Sequence, residues 1–345
     1  MESNERFGCA PSEVGDVNND GYDDIVIGQI TEGIASLFFG RPSNQWKSNY
    51  SRGDADVILK TVINLSFCES LFYNDDWCFT GPAIGGNFNG DSYDDFIIMN
   101  SGWGNTDNSD KGAVMVFLGR SSEQWKEDSD VFNVNTTFIG ENDRDRAGHG
   151  ATGVGDVNND GFSDFIFGDY LNEKTYLILG RPTEEWQTNY DFSESNGSFL
   201  GESSFTWSGF SVTGVGDTNM DGNDDFLIGA FERGNHLEKG YLILGRSSDR
   251  WTQNMPLDQS NASFIGEAGS DWFGWDISGA GDVDNNGLDD FLIGAPGYLF
   301  QSTRGKAYLF LSESLETTET SDYPQMFVLV FSISVIIILR KKQTR

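Results

Sequence analysis

The sequence predicts an all-β fold, a β-propeller of four-stranded blades, followed by one C-terminal transmembrane helix. Three observations carry that expectation. A glycine–acid segment recurs five times, as GDVNNDGYDDIVIG (15–28), GNFNGDSYDDFIIM (86–99), GDVNNDGFSDFIFG (155–168), GDTNMDGNDDFLIG (216–229) and GDVDNNGLDDFLIG (281–294). Around each copy the same short apolar runs and turns return in one order, and a long repeat of fixed order is a supersecondary unit that stacks on its own copies. Helical periodicity is confined to the apolar C-terminal segment.

Each repeat opens on a first strand with an aromatic–glycine element, as in Phe7-Gly8, Phe79-Thr80-Gly81, Ser208-Gly209-Phe210 and Phe273-Gly274. The acidic loop and a short apolar second strand follow. AVMVFLGR (113–120), TYLILGR (175–181), GYLILGR (240–246) and KAYLFL (306–311) supply third strands. Turns of the type GRPSNQW, GRSSEQW, GRPTEEW and GRSSDRW then end in Trp46, Trp125, Trp186 and Trp251. TTFIGE (136–141), GSFLGE (197–202) and ASFIGE (262–267) are fourth strands. Four short antiparallel strands, repeated radially, describe a propeller blade. The blades fall near 7–78, 79–147, 148–206, 207–270 and 271–311, so the propeller spans 7–311.

A polar linker (312–322) leads to the expected transmembrane helix (323–339) and a basic cytoplasmic tail (340–345). The uncharged run MFVLVFSISVIIIL (326–339), counted from Tyr323, reaches about 17 residues, the lower limit of a span. Arg340, Lys341 and Lys342 behind it would stay cytoplasmic and leave the propeller outside, as a single-pass cell-surface protein. The first repeat opens at its first strand and the last stops after its third, at Leu311, whereas a ring completes its final blade with a strand from the other terminus. The N-terminus carries no basic-then-apolar secretory segment. Either the ring closes imperfectly, or residues upstream of Met1 supply the missing strand and further blades.

Acids outnumber bases 54 to 22, a formal charge of −32. Such a chain repels polyanions, which excludes a nucleic-acid partner. Cys68 and Cys78 bracket ESLFYNDDW, leaving open a local bridge or two buried thiols, with Cys9 unpaired. Five glycosylation sequons begin at Asn49, Asn64, Asn135, Asn196 and Asn261. The last three share one repeat phase, which repeat identity alone could produce.

Within each loop, oxygen-bearing side chains fall at positions 1, 3, 5 and 9, with glycine usually at 6, a spacing that wraps backbone around a hard cation. An EF-hand would need a bidentate Glu at position 12. That position holds Ile27, Ile98, Phe167, Ile228 and Ile293, which excludes it. Carboxylates this close repel one another by several kcal/mol at an intermediate dielectric. Calcium suits such loops better than magnesium, which demands octahedral geometry.

GDVNNDGYDDIVIG and FLIGAP (291–296) resemble FG-GAP repeats, the blades of the integrin alpha-chain propeller, and the resemblance covers roughly 7–311. It implies a calcium ligand set of four side chains plus the carbonyl at position 7. In the first loop these are Asp16, Asn18, Asp20, Tyr22 and Asp24; in the third, Asp156, Asn158, Asp160, Phe162 and Asp164. The fourth has Asp217, Asn219, Asp221, Asn223 and Asp225, and the fifth Asp282, Asp284, Asn286, Leu288 and Asp290. The second is weaker: Asn87 replaces the first acid and Ser92 the glycine, leaving Asn89, Asp91, Tyr93 and Asp95. Integrin-type propellers have seven blades, whereas five units are readable here.

The resemblance implies a calcium-stabilised surface module recognising a protein or glycan in an adhesion-like role, with an architectural cell-envelope protein as the alternative. Candidate recognition loops are 66–81, with Phe72, Tyr73 and Trp77, and 102–111. Only His149 and His236 could serve as histidine bases, and no G-x-S-x-G nucleophile motif occurs, so no enzyme is expected and a propeller-type hydrolase ranks last.

Overall fold

The computed structural model describes residues 7–29, 34–60, 80–100, 111–127, 134–142, 145, 148, 150–231, 238–267, 271–297, 305–313, 327–332 and 335–339. Cys68, Cys78, Asn64, His149, His236 and nearly all of the two candidate recognition loops lie outside them. The chain divides into two compact units, Met1–Gly153 with Gly161–Asn172 and Tyr176–Asn196, and Val154–Asp160 with Glu173–Thr175 and Gly197–Arg345.

In the first unit, β1 (Phe7–Gly15), β2 (Asp24–Gln29), β3 (Ile34–Phe38) and β4 (Val57–Lys60) form one four-stranded antiparallel sheet in chain order. A second sheet follows from β5 (Thr80–Gly86), β6 (Asp95–Asn100), β7 (Ala113–Phe117) and β8 (Thr136–Ile139). The third repeat supplies β9 (Ala151–Gly155), β10 (Asp164–Asp169), β11 (Lys174–Ile178), β12 (Asn189–Asp191) and β13 (Gly197–Leu200), and the boundary between the units runs through it. In the second unit, β14 (Val212–Gly216), β15 (Asp225–Ala230), β16 (Lys239–Ile243) and β18 (Ala262–Ile265) form a sheet, with β17 (Met255–Pro256) between the last two in sequence. The last sheet holds β19 (Ile277–Gly281), β20 (Asp290–Ala295), β21 (Lys306–Glu313), β22 (Phe327–Ser332) and β23 (Val335–Leu339). These are propeller-type blades, and the all-β expectation holds.

The connection from third to fourth strand does more than turn. It carries β12, which pairs in parallel with β8 of the preceding repeat, and β17, which does the same to β13. Neighbouring blades thus share backbone hydrogen bonds at an edge that would otherwise be bare.

Central strands are buried along their whole length, as in β6, β7 and β15, which explains why they read as unbroken apolar runs. Two clusters fill the first unit. One is centred on Phe138, whose ring stacks on Tyr190 at 4.9 Å and meets Phe165 edge-on at 5.7 Å. The other gathers Phe96, Phe117 and Trp125. The core of the second unit is built on Leu227, Phe264, Phe291 and Phe310.

Four expectations need correcting. The aromatic–glycine pairs of the fourth and fifth repeats precede β14 and β19 rather than lying in them, because Gly209 and Gly274 take φ of +83° and +86° and turn the chain. SSEQW forms part of a short helix, α1 (Ser122–Glu127), since it holds good helix formers behind Ser121, whose hydroxyl accepts a hydrogen bond from Gln124 N at 3.4 Å. The third strand of the last repeat runs to Glu313, so Ser312 and Glu313 belong to the sheet and not to the linker. Finally, β22 and β23 pair as antiparallel strands where a transmembrane helix was expected over 323–339, and among the described residues no helix is long and apolar enough to cross a membrane. The run is rich in Val, Ile and Phe, which favour strands as strongly as apolarity favours a span.

Candidate metal centre

The five acidic loops each join a first strand to a second. Their glycine before position 1 has a steric reason. Gly15, Gly155 and Gly216 all take positive φ, and a Cβ at each would sit 1.9 to 2.3 Å from a carboxylate oxygen of Asp94, Asp224 or Asp289. Those acids occupy position 8 of the next repeat's loop. Asp94 Oδ2 accepts from Asp16 N at 2.9 Å while its own N–H donates to Asp16 O at 3.1 Å, and Asp224 repeats the pattern on Asp156 at 2.8 and 3.0 Å. Asp289 N reaches Asp217 O, and Ser163 N reaches Asn87 O. Each of the first four loops is thereby clasped by its successor.

Position 1 gathers the turn. Asp16 accepts from Asp20 N and Gly21 N at 3.0 and 2.8 Å, Asp217 from Asp221 N and Gly222 N at 3.2 and 2.9 Å, and Asp282 from Asn286 N and Gly287 N at 2.9 and 2.8 Å. Asp156 accepts from Asp160 N. Position 3 caps position 5: Asn18, Asn89, Asn158, Asn219 and Asp284 each accept its N–H. Position 5 in turn accepts the N–H of position 7, at Tyr22, Tyr93, Asn223 and Leu288. Phe162 stands at that position in the third loop, and its ring lies where a Cβ on Gly90 would go.

The ninth-position aspartates are fully buried. Asp24 accepts from Val17 N and Gly40 N at 2.9 and 2.7 Å, Asp95 from Phe88 N and Gly119 N at 2.7 Å each, and Asp225 from Thr218 N and Gly245 N at 3.0 and 2.8 Å. Asp164 takes Gly180 N at 2.8 Å, and Asp290 takes Val283 N and Ser312 N at 2.9 and 2.8 Å. Each acid therefore ties its loop to the end of the third strand. Burial, then the charges of Asp20 and Asp16, pushes Asp24 up to about 7. Burial and Asp91 push Asp95 to about 8, and burial with Asp221 pushes Asp225 to about 7. Asp290 rises through burial and the charges of Asp284 and Asp282.

This chemistry fits a divalent cation. In the fifth loop, carboxylate oxygens of Asp282, Asp284 and Asp290 all lie within 4.8 Å of one another. Each oxygen keeps a lone pair beside its backbone bond, and the buried negative charge is what a cation would relieve. The second loop fits less well, because the Asn87 side-chain amide donates to Asp91 O across the turn.

Two further patterns escape a reading for ligands. Asn135, Asn196 and Asn261 accept from Leu118 N, Leu179 N and Leu244 N at 2.8 to 3.0 Å and from the guanidinium groups of Arg120, Arg181 and Arg246. Asp56 does the same for Phe39 N and Arg41. The shared phase of these three asparagines thus has a structural cause. Each arginine also lies over a tryptophan ring, Arg120 on Trp125 at 4.4 Å and Arg246 on Trp251 at 4.5 Å, which explains the GR-to-W spacing. Asn49 is exposed.

A sequence model of the FG-GAP repeat matches residues 273–310. The chain is 30% identical over 159 residues to integrin alpha pat-2 of Caenorhabditis briggsae, covering 42% of this chain and 13% of that one. It is 27% identical over 248 residues to integrin alpha-PS2 of Drosophila melanogaster, covering 67% and 16%. It is also 27% identical over 246 residues to phosphatidylinositol-glycan-specific phospholipase D of Dictyostelium discoideum, covering 63% and 24%. The chain thus spans less than a quarter of the length of these relatives. An FG-GAP, integrin-alpha-like propeller is the class that the family match and these relatives support.

Proposed function

We propose that this chain is a calcium-stabilised propeller displayed at the cell surface, where it recognises a protein or glycan ligand in adhesion. The convergence of Asp282, Asp284 and Asp290 carries the calcium part of the reading. The ion closes the turn between first and second strands, so its binding adds to folding free energy. Likeness to two integrin alpha chains supports surface recognition over the hydrolytic role named for the third relative.

The test is calcium titration of the purified chain by calorimetry and native mass spectrometry, with a calcium-dependent glycan and cell-adhesion screen. Asp290→Asn is expected to lose about one ion per chain and to lower the calcium-saturated melting temperature. Unchanged stoichiometry would mean that the fifth loop binds no metal. A screen without any saturable, calcium-dependent ligand favours the architectural alternative.

A further inference from the structure

Just before β16, Glu238 is only 2% exposed. Its carboxyl group meets that of Asp271, which lies in the turn ahead of β19, at one backbone N–H. Glu238 Oε2 and Asp271 Oδ1 share that donor, Phe273 N, at 3.1 Å each. Two carboxylates can hydrogen-bond to each other only through a proton that one of them carries.

The preceding repeat holds the informative counterpart. There Glu173 stands just before β11 and accepts from Ser208 N at 2.9 Å and from the hydroxyl of Thr206. GESSFTWSG (201–209) aligns with GEAGSDWFG (266–274), so Thr206 and Asp271 are equivalent. A hydroxyl carries its hydrogen at every ordinary pH, whereas a carboxyl carries it conditionally. The equivalent position thus holds a permanent donor in one repeat and a carboxyl group in the next.

We propose that Glu238 and Asp271 form a proton-dependent latch, in which one shared proton holds the 271–275 turn against β16 and its loss to solvent frees that turn. The turn bears Trp272 and Trp275, stacked at 4.6 Å, with Phe231 packed 4.4 Å from Trp275 and Phe210 5.1 Å from it. Latching therefore sets the placement of an aromatic cluster. Nearby charges are already engaged: Lys239 pairs with Glu202, which also accepts from the Tyr241 hydroxyl, and Lys306 pairs with Glu267. Lys306 also lies over the Tyr308 ring at 5.9 Å. Burial first, and the Asp271 contact second, raise Glu238 well above the usual carboxylate range. Because the folded value is raised, the latch is complete below the ordinary glutamate range and is lost as pH rises through the raised one.

The experiment is thermal unfolding of the full chain in calcium excess, followed by tryptophan fluorescence from about pH 5.5 to 9. Asp271→Thr restores the hydroxyl of the preceding repeat, and Glu238→Gln supplies an amide that always carries hydrogen. The wild type is expected to lose on the order of 2–4 °C relative to both variants as pH rises. Equal losses in all three overturn the latch. Infrared spectroscopy of chain labelled with ¹³C-glutamate needs no variant: a protonated glutamate carbonyl band near pH 6.5 supports the shared proton, and its absence refutes it.

Discussion

Replacing Gly155 by alanine tests how neighbouring loops hold one another. Gly155 has φ of +74°, and an added Cβ would lie 2.0 Å from Asp224 Oδ2. The left-handed backbone alone costs a non-glycine residue about 1–2 kcal/mol. The larger effect is displacement of the Asp224 carboxylate, which accepts Asp156 N at 2.8 Å. Losing a hydrogen bond to a charged group costs about 1.5–3 kcal/mol. Together these predict a loss of about 2.5–5 kcal/mol for Gly155→Ala. In an Asp224→Ala background only the backbone term remains, so a double-mutant cycle should show a coupling of about 1.5–3 kcal/mol. Urea denaturation of the full chain at saturating calcium measures it. A coupling below about 0.5 kcal/mol, with Gly155→Ala costing the same in both backgrounds, would refute the clasp.

Truncating Phe138 removes the ring that joins Phe165, Phe167 and Tyr190, so Phe138→Ala is expected to cost about 3–5 kcal/mol in the same assay. Phe205, 72% exposed, should change stability by no more than about 0.5 kcal/mol on replacement by alanine. Without metal, the raised aspartates favour their protonated forms, and that stabilisation is lost as pH climbs through the 7 to 8 at which Asp24, Asp225 and Asp95 titrate. The chelated chain should therefore melt lower at about pH 9 than at about pH 6, and added calcium, which binds the ionised acids, should reverse that order. A chelated chain more stable at the higher pH would contradict the burial of these acids.

Much of the fold was legible because blades repeat their own chemistry. Apolar runs marked β6, β7, β10 and β15, since strands covered on both faces need no polar alternation. GR-to-W turns and acidic loops marked the ends of those strands. What stayed hidden was the partner of each motif. Position 8 reads as one more acid in a run of acids, yet Asp94 and Asp224 clasp the loop before theirs. Asn196 reads as a sequon, yet it accepts from Leu179 N and Arg181. The apolar run at 326–339 fitted a span by length and hydropathy, and neither property distinguishes a lone helix from strands paired on β21.

The chain itself determined its strands and turns and the oxygen-rich character of five loops, because those follow from side-chain chemistry at short range. Only folding decided which oxygens converge, which glycines stand beside another repeat's carboxylate, and which two acids, Glu238 and Asp271, meet at one backbone N–H. Such contacts join residues tens of positions apart, and no local pattern records a distance that packing alone creates.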